Sequence, residues 1–140
     1  MALLKVIATD LQKEERGVWT TYPGTDLELL VARIGNPQWE SMSRKLLRQV
    51  RKERRKGELS EREAKQLLAP AVARCILLDW KNLEDEGPDG NPVPIPYSEA
   101  KALELLRDPR FKDLYEFVFS FANDGQAYTV DLEDDSKGNS

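Results

Sequence analysis

At 140 residues the chain is the size of one domain, with 33% charged residues, a net charge of −4 and no histidine. The missing histidine removes the usual general base, the usual metal ligand and every Ser–His or Cys–His nucleophile pair, so no enzyme, cofactor or metal is expected. No apolar run approaches the ~20 residues of a bilayer span, and the single cysteine, Cys75, excludes a disulfide within the chain.

Residues 1–16 read as a loosely ordered N-terminal arm. Leu3, Leu4, Val6 and Ile7 suit a short strand, and Leu11 to Arg16 reads as helical or disordered. The apolar start is too short for a signal-peptide core and Lys5 interrupts it, so a cytoplasmic protein is expected. A single globular domain is predicted over residues 17–124. It opens with a hairpin over 17–34, because Gly17 to Tyr22 and Leu27 to Ile34 are rich in β-branched and apolar residues. Pro23-Gly24 between them suits a type II turn. Such a hairpin needs helices under one face to be stable.

Helices are predicted within 36–123. Asn36-Pro37 is a cap followed by a first-turn proline, and Trp39, Met42, Leu46, Leu47 and Val50 then mark an apolar stripe. Gly57 suits the helix end. Ser60 and Glu63 fit a capping box. After it, Ala64, Leu67, Leu68, Ala71, Val72, Cys75, Ile76 and Leu78 recur at helical spacing, which predicts a long core helix to about Leu83, kinked or divided at Pro70. Cys75 on that stripe reads as a small buried hydrophobe. Trp19, Trp39 and Trp80 read as core or rim, with Trp80 closing the core beneath the loop that follows.

That loop, Glu84 to Tyr97, holds four prolines and two glycines, and no regular structure is expected in it. Asp85, Asp89 and Gly90 superficially match an EF-hand, but Gly87 and Pro96 stand where ligands are required, so a turn-forming loop is expected. A hydrolase built on Glu84, Asp85, Glu86 and Asp89 is the weakest of the functional readings, because nothing in a flexible loop would hold the acids in place. Ser98 caps a short helix containing Ala102, Leu103 and Leu106. Asp108-Pro109 starts another, with Phe111, Leu114, Phe117, Val118 and Phe121 on one face. Residues 125–140 are polar and acidic and read as a disordered tail. The fold class is therefore α+β, mostly α: about four helices, one N-terminal hairpin and a C-terminal tail.

The candidate site is the polar face of the first long helix. Between Arg44 and Lys56 lie eight Lys or Arg and one acid, Glu53, for a net charge of +7. The remainder of the chain then carries −11, since the whole is −4. The favoured reading is a solvated face neutralised by that acidic remainder. A docking face for an acidic partner, or for another copy's acidic tail, ranks second, with Arg44, Lys45, Arg48, Arg51, Lys52 and Arg55 as its residues. Nucleic-acid binding by residues 44–56 ranks third, because the overall pI near 5.0 opposes it and no recognition motif accompanies the charge.

Several ordered motifs carry a resemblance. Gly17-Val18-Trp19 precedes a Tyr-Pro-Gly-Thr-Asp turn, and Val31-Ala32-Arg33-Ile34-Gly35-Asn36-Pro37 leads into the basic helix. Leu77 to Asp85, Asn91-Pro92-Val93-Pro94, Tyr97-Ser98 and Leu105-Leu106-Arg107-Asp108-Pro109 before Leu114 to Val118 complete the series. Over residues 17–123 this order resembles the tail assembly chaperones of long-tailed bacteriophages and the short phage proteins grouped with them. The resemblance implies a non-enzymatic protein of the host cytoplasm. It would bind the tape-measure protein, help recruit tail-tube subunits and be absent from the virion. Self-association is a further expectation, and no membrane partner is expected. The resemblance also implies a programmed frameshift. Lys137-Gly138-Asn139 written AAG GGA AAC contains the slippery heptamer G GGA AAC, which would extend the chain into a longer product.

Overall fold

The computed structural model describes residues 2–55, 57 and 60–130; Met1, residues 56, 58 and 59, and the segment 131–140 lie outside the described residues. The hairpin forms as expected. Strand β1 (Val18–Thr21) pairs antiparallel with β2 (Glu28–Val31), Val18 opposite Val31 and Thr21 opposite Glu28. Gly24 takes a φ of 78° at the turn, a left-handed angle that a side chain would disfavour.

A third strand joins this sheet where the apolar spacing predicts helix. Helix α4 (Glu61–Cys75) ends at Cys75, and β3 (Leu77–Lys81) turns back to pair with β2 in the order β1-β2-β3. Leu77 lies opposite Val31, Asp79 opposite Leu30 and Trp80 opposite Leu29, which leaves Leu78 without a partner. Leu78 is thus a bulge residue, and the bulge puts Leu77 and Trp80 on the same buried face although they are three apart. A spacing of three is what a helix would show, so the bulge is the reason the periodicity misleads. Pro70 sits within α4 without dividing it.

The acidic stretch is likewise not irregular. Strands β4 (Glu84–Glu86) and β5 (Pro92–Pro94) form a small ribbon with Asp85 opposite Val93. The Ile95 N–H donates to the Leu83 carbonyl and the Gly87 N–H to that of Asn91, so the inward-facing backbone of β5 falls at residues 91, 93 and 95. Pro92 and Pro94 alternate with these, and their missing N–H groups face the free edge, the one arrangement in which a strand tolerates two prolines.

Four helices match the expectation: α3 (Pro37–Arg55), α4, α5 (Glu99–Arg107) and α6 (Lys112–Ala122). Their caps are those the residue types foretell. Ser60 Oγ accepts from the Glu63 N–H and Ser98 Oγ from the Lys101 N–H. The Asp108 carboxylate accepts from the Arg110 N–H and opens a 3₁₀ turn, Pro109–Phe111, that runs into α6. Along α6 the fully buried line is Tyr115, Val118 and Ala122, with Leu114, Phe117 and Phe121 only half-buried beside it. The core gathers Leu29 and Val31 of β2, Val72 of α4, Ile76, Leu77 and Val118 between sheet and helices. Trp39 and Trp80 close its two sides, and the Trp80 Nε1–H donates to the Ile95 carbonyl at 2.8 Å, so Trp80 does sit beneath the acidic ribbon.

Both ends of the described chain depart from expectation. The arm carries two short helices, α1 (Leu4–Ile7) and α2 (Leu11–Arg16), with Asp10 capping α2. It is not loosely attached beyond Ile7. The Arg33 N–H donates to the Glu14 carbonyl, Arg33 Nη1 reaches Thr9 Oγ1 at 2.8 Å, and the Asp10 N–H donates to the Tyr128 carbonyl at 2.7 Å. The predicted disorder from residue 125 fails over 125–130. A 3₁₀ turn, Gly125–Tyr128, sinks the Tyr128 ring into the core, and its hydroxyl donates to the Val31 carbonyl at 2.9 Å. One buried aromatic ring, Tyr128, anchors this six-residue stretch. The rest of the predicted tail, 131–140, lies outside the described residues.

Tyr97 gives this fold a pH signature. Its hydroxyl donates to the Leu77 and Ala73 carbonyls, and burial, reinforced by Glu99 and Asp79, pushes its pKa up to about 12. A folded pKa above the unfolded value of about 10 means full stabilisation below pH ~10, lost as the pH climbs towards 12. Urea midpoints measured from pH 8 to 12 are expected to stay level to pH ~10 and then fall, with a shallower fall in Tyr97→Phe.

Candidate partner-binding face

Helix α3 is positioned by one buried amide. Asn36 is 2% exposed; its Oδ1 accepts from the Trp39 N–H at 3.0 Å. Its Nδ2 donates to the carbonyls of Arg33 at 2.7 Å and Cys75 at 3.1 Å. The cap foreseen for α3 therefore also ties that helix to the end of α4. Asn36→Ala removes the cap and leaves buried carbonyls without a donor. It is expected to cost about 2 kcal/mol in a urea titration while leaving the α3 cations in place.

From this cap the helix buries Trp39, Ser43 and Val50 and half-buries Met42 and Leu46. Leu47, expected among them, is 38% exposed at the margin. At ~100° per residue the opposite side carries Arg44, Arg48, Arg51 and Arg55 in one line, with Lys45 and Lys52 flanking it. All six are exposed. None forms an ion pair among the described residues; the pairs found there are Lys65–Glu116, Arg74–Glu99, Lys101–Glu104 and Arg110–Asp108. Arg51 Nε makes a 3.4 Å bond to the Leu47 carbonyl, within its own helix. Lys56, the last cation of the run, lies outside the described residues.

A second exposed feature lies on the arm. Leu3, Leu4, Val6, Ile7 and Leu11 are 63%, 82%, 46%, 68% and 71% exposed. Single exposed apolar residues are ordinary, but five within nine positions form the kind of patch that marks a binding surface. Their apolar character is visible in the sequence; that the fold leaves them uncovered is not.

The other candidates resolve into structure. Cys75 is 3% exposed, 3.9 Å from Met42 Sδ, and burial pushes its thiol pKa up, which disfavours the reactive thiolate. Asp89 accepts from the Asn91 N–H and Nδ2, and these bonds hold its carboxyl below the usual range. That carboxylate is spent on closing the Gly87–Gly90 turn. Glu84, Asp85 and Glu86 lie exposed along β4. Among the described residues no cluster of three or more metal-ligating side chains forms. Trp19 stands on the open face of the sheet with Lys81 Nζ 4.1 Å from its ring centre. No helix among the described residues is long and apolar enough to cross a membrane.

No curated protein and no solved structure matches the chain. A family model described as YdaY prophage protein matches residues 34–139, a span that starts at the end of the hairpin and takes in α3 with its cations, the acidic ribbon and every helix after it. The match extends over most of the chain, which therefore belongs to the YdaY prophage protein family and is a phage-associated protein.

Proposed function

We propose that the chain is a non-enzymatic tail assembly chaperone, acting in the host cytoplasm on the tape-measure protein and helping to recruit tail-tube subunits. The observation that carries this reading is the uncovered apolar run Leu3 to Leu11 on an arm pinned to the domain by Thr9, Asp10 and Glu14. A tape measure is a long helical chain with apolar stripes. An exposed apolar arm on a rigid domain is a fit surface for shielding such stripes before the tube closes around them. The order of motifs that resembles tail assembly chaperones supports the same reading, as does membership of a prophage family. The frameshifted longer form belongs to this proposal too, and the codons at 137–139 decide it.

Co-expression with the tape-measure protein of the same prophage tests the function. The tape measure is expected to be soluble and to co-purify with the chain. Leu4→Asp with Ile7→Asp is expected to abolish capture with an unchanged melting midpoint, since both side chains are already exposed. A tape measure that stays insoluble beside the wild-type chain, or that the double variant captures equally well, overturns the reading.

A further inference from the structure

We propose that an aromatic groove beside α6 receives the cationic stripe of α3 from a second copy of the chain, in a head-to-tail contact. The groove measures about 620 Å³ and lies between the hairpin turn and α6. Its floor is three half-buried rings. Tyr22 meets Phe117 edge-on with centroids 5.1 Å apart, and Phe117 stacks on Phe121 at 6.5 Å. Its rim carries the exposed carboxylates of Asp113, Glu116 and Asp124, and the described residues that line it include no cation. Glu116 meets Lys65 through Oε1 and Asp124 caps the following turn through Oδ1, yet both side chains stay open to solvent. Carboxylates around aromatic faces suit guanidinium groups, which stack on rings and bond carboxylates at once.

The two surfaces match in length and spacing. Arg44 to Arg55 spans eleven positions of α3. Asp113 to Asp124 spans eleven as well, and the Asp124 N–H donates to the Phe121 carbonyl, so the helical turn carries on past Ala122. Both rows are therefore about 16 Å long. Phe117 and Phe121 stand four residues apart, as Arg44 and Arg48 do, so two guanidiniums come level with two rings. The stripe cannot reach the groove of its own chain. Trp39, on the opposite side of α3, meets Phe119 of α6 with ring centroids 6.4 Å apart. The cations thus point away from their own α6, and only another copy can bring them to it.

Charge selects this occupant. The run from Arg44 to Lys56 carries +7 in a chain whose remainder carries −11, so copies attract one another through unlike faces. The acidic ribbon is the rival surface for the same stripe, but it offers no aromatic floor, and Asp89 is engaged in its own turn. Because stripe and groove are different surfaces, each bound copy keeps one of them free, and the contact propagates into a ring or a filament. It uses neither the apolar arm nor a tape measure, and so goes beyond the chaperone reading and stands apart from it.

Sedimentation velocity of the full chain tests it. At low salt the wild type is expected to associate as its concentration rises, and to return to monomer at 1 M salt, where the screening length falls to about 3 Å. Asp113→Lys with Glu116→Lys, and separately Arg44→Glu with Arg48→Glu, are each expected to weaken association at least about a hundredfold. All four side chains are exposed, so both variants are expected to keep the fold, as read by circular dichroism. An equimolar mixture of the two is expected to restore association, since each reversed face then meets its opposite. Leu4→Asp with Ile7→Asp is expected to leave association unchanged. A wild type that stays monomeric, a groove variant that associates like the wild type, or a mixture that stays monomeric overturns the proposal. Association lost in Glu84→Lys with Glu86→Lys but kept in the groove variant assigns the stripe to the acidic ribbon and overturns it as well. Tight duplex DNA binding through Arg44 and Arg48 at physiological salt, without self-association, does the same by making the stripe a nucleic-acid surface.

Discussion

Ile76→Asp is expected to abolish the cooperative unfolding transition at 25 °C and neutral pH, as read by circular dichroism against temperature or urea. Ile76 is completely buried at the junction of α4 and β3. Its N–H donates to the Val72 carbonyl and its own carbonyl accepts from the Ala32 N–H, so its backbone is held by both helix and sheet. A carboxylate there has no cation beside it and must be desolvated, at a cost of several kcal/mol. The whole domain holds only about 5–15 kcal/mol. Burial raises a carboxyl's pKa in the folded state, so the penalty is smallest below the ordinary carboxylate range and grows as the pH rises through it. Ile76→Val keeps the site apolar and is expected to lose only about 0.5–1.5 kcal/mol. An Asp variant that melts like the wild type would show that this junction is solvated.

Local chemistry was the most legible part of this fold. Asn36, Ser60, Ser98 and Asp108 each cap the element their type and position announce, because a cap is decided within three residues. Elements decided by distant partners were misread. Leu77 and Trp80 imitate a helical spacing because Leu78 bulges, and the bulge exists only in the pairing with β2. Pro92 and Pro94 look like strand breakers until their spacing of two is set against a partner, β4, that needs nothing from them. The acidic end hid Tyr128, whose place depends on Val31, 97 residues earlier.

The cationic face was legible for a related reason. Helical spacing puts buried and charged residues on opposite sides of α3, and both sets can be counted along the chain. What could not be counted was compensation. A net −11 elsewhere says nothing about where the acids sit; Glu116, Glu99, Glu104 and Asp108, for example, pair with Lys65, Arg74, Lys101 and Arg110. The apolar arm was illegible for the converse reason. Leu3 to Ile7 has the composition of a core strand, and only the arrangement of the other elements decides that none of them covers it.

Tyr128→Ala is expected to destabilise the domain by about 3–5 kcal/mol in a urea titration, the usual cost of emptying a large buried aromatic site. The ring is fully buried, meets Phe121 edge-on with centroids 5.9 Å apart, and sends its hydroxyl to the Val31 carbonyl. Its own backbone carbonyl accepts from the Asp10 N–H, and Thr129 bridges to Thr9, so the same turn fastens the N-terminal arm. Truncation after Asp124 removes all of these contacts together and is expected to cost at least as much, whereas truncation after Val130 keeps every one of them. Tyr128→Phe separates the two contributions. It retains the packing and leaves the Val31 carbonyl without this donor, for a loss of about 1–3 kcal/mol. Burial also holds the Tyr128 pKa well above the ordinary phenol value. A folded pKa raised in this way gives stabilisation that is complete below pH ~10 and is lost only at higher pH. The Phe variant is therefore expected to be less stable than the wild type at neutral pH and to converge on it as the solution is made strongly alkaline. An Asp124 truncation as stable as the full chain, or a Phe variant that matches the wild type at pH 7, would remove Tyr128 from the core and return residues 125–130 to the role of a solvated tail.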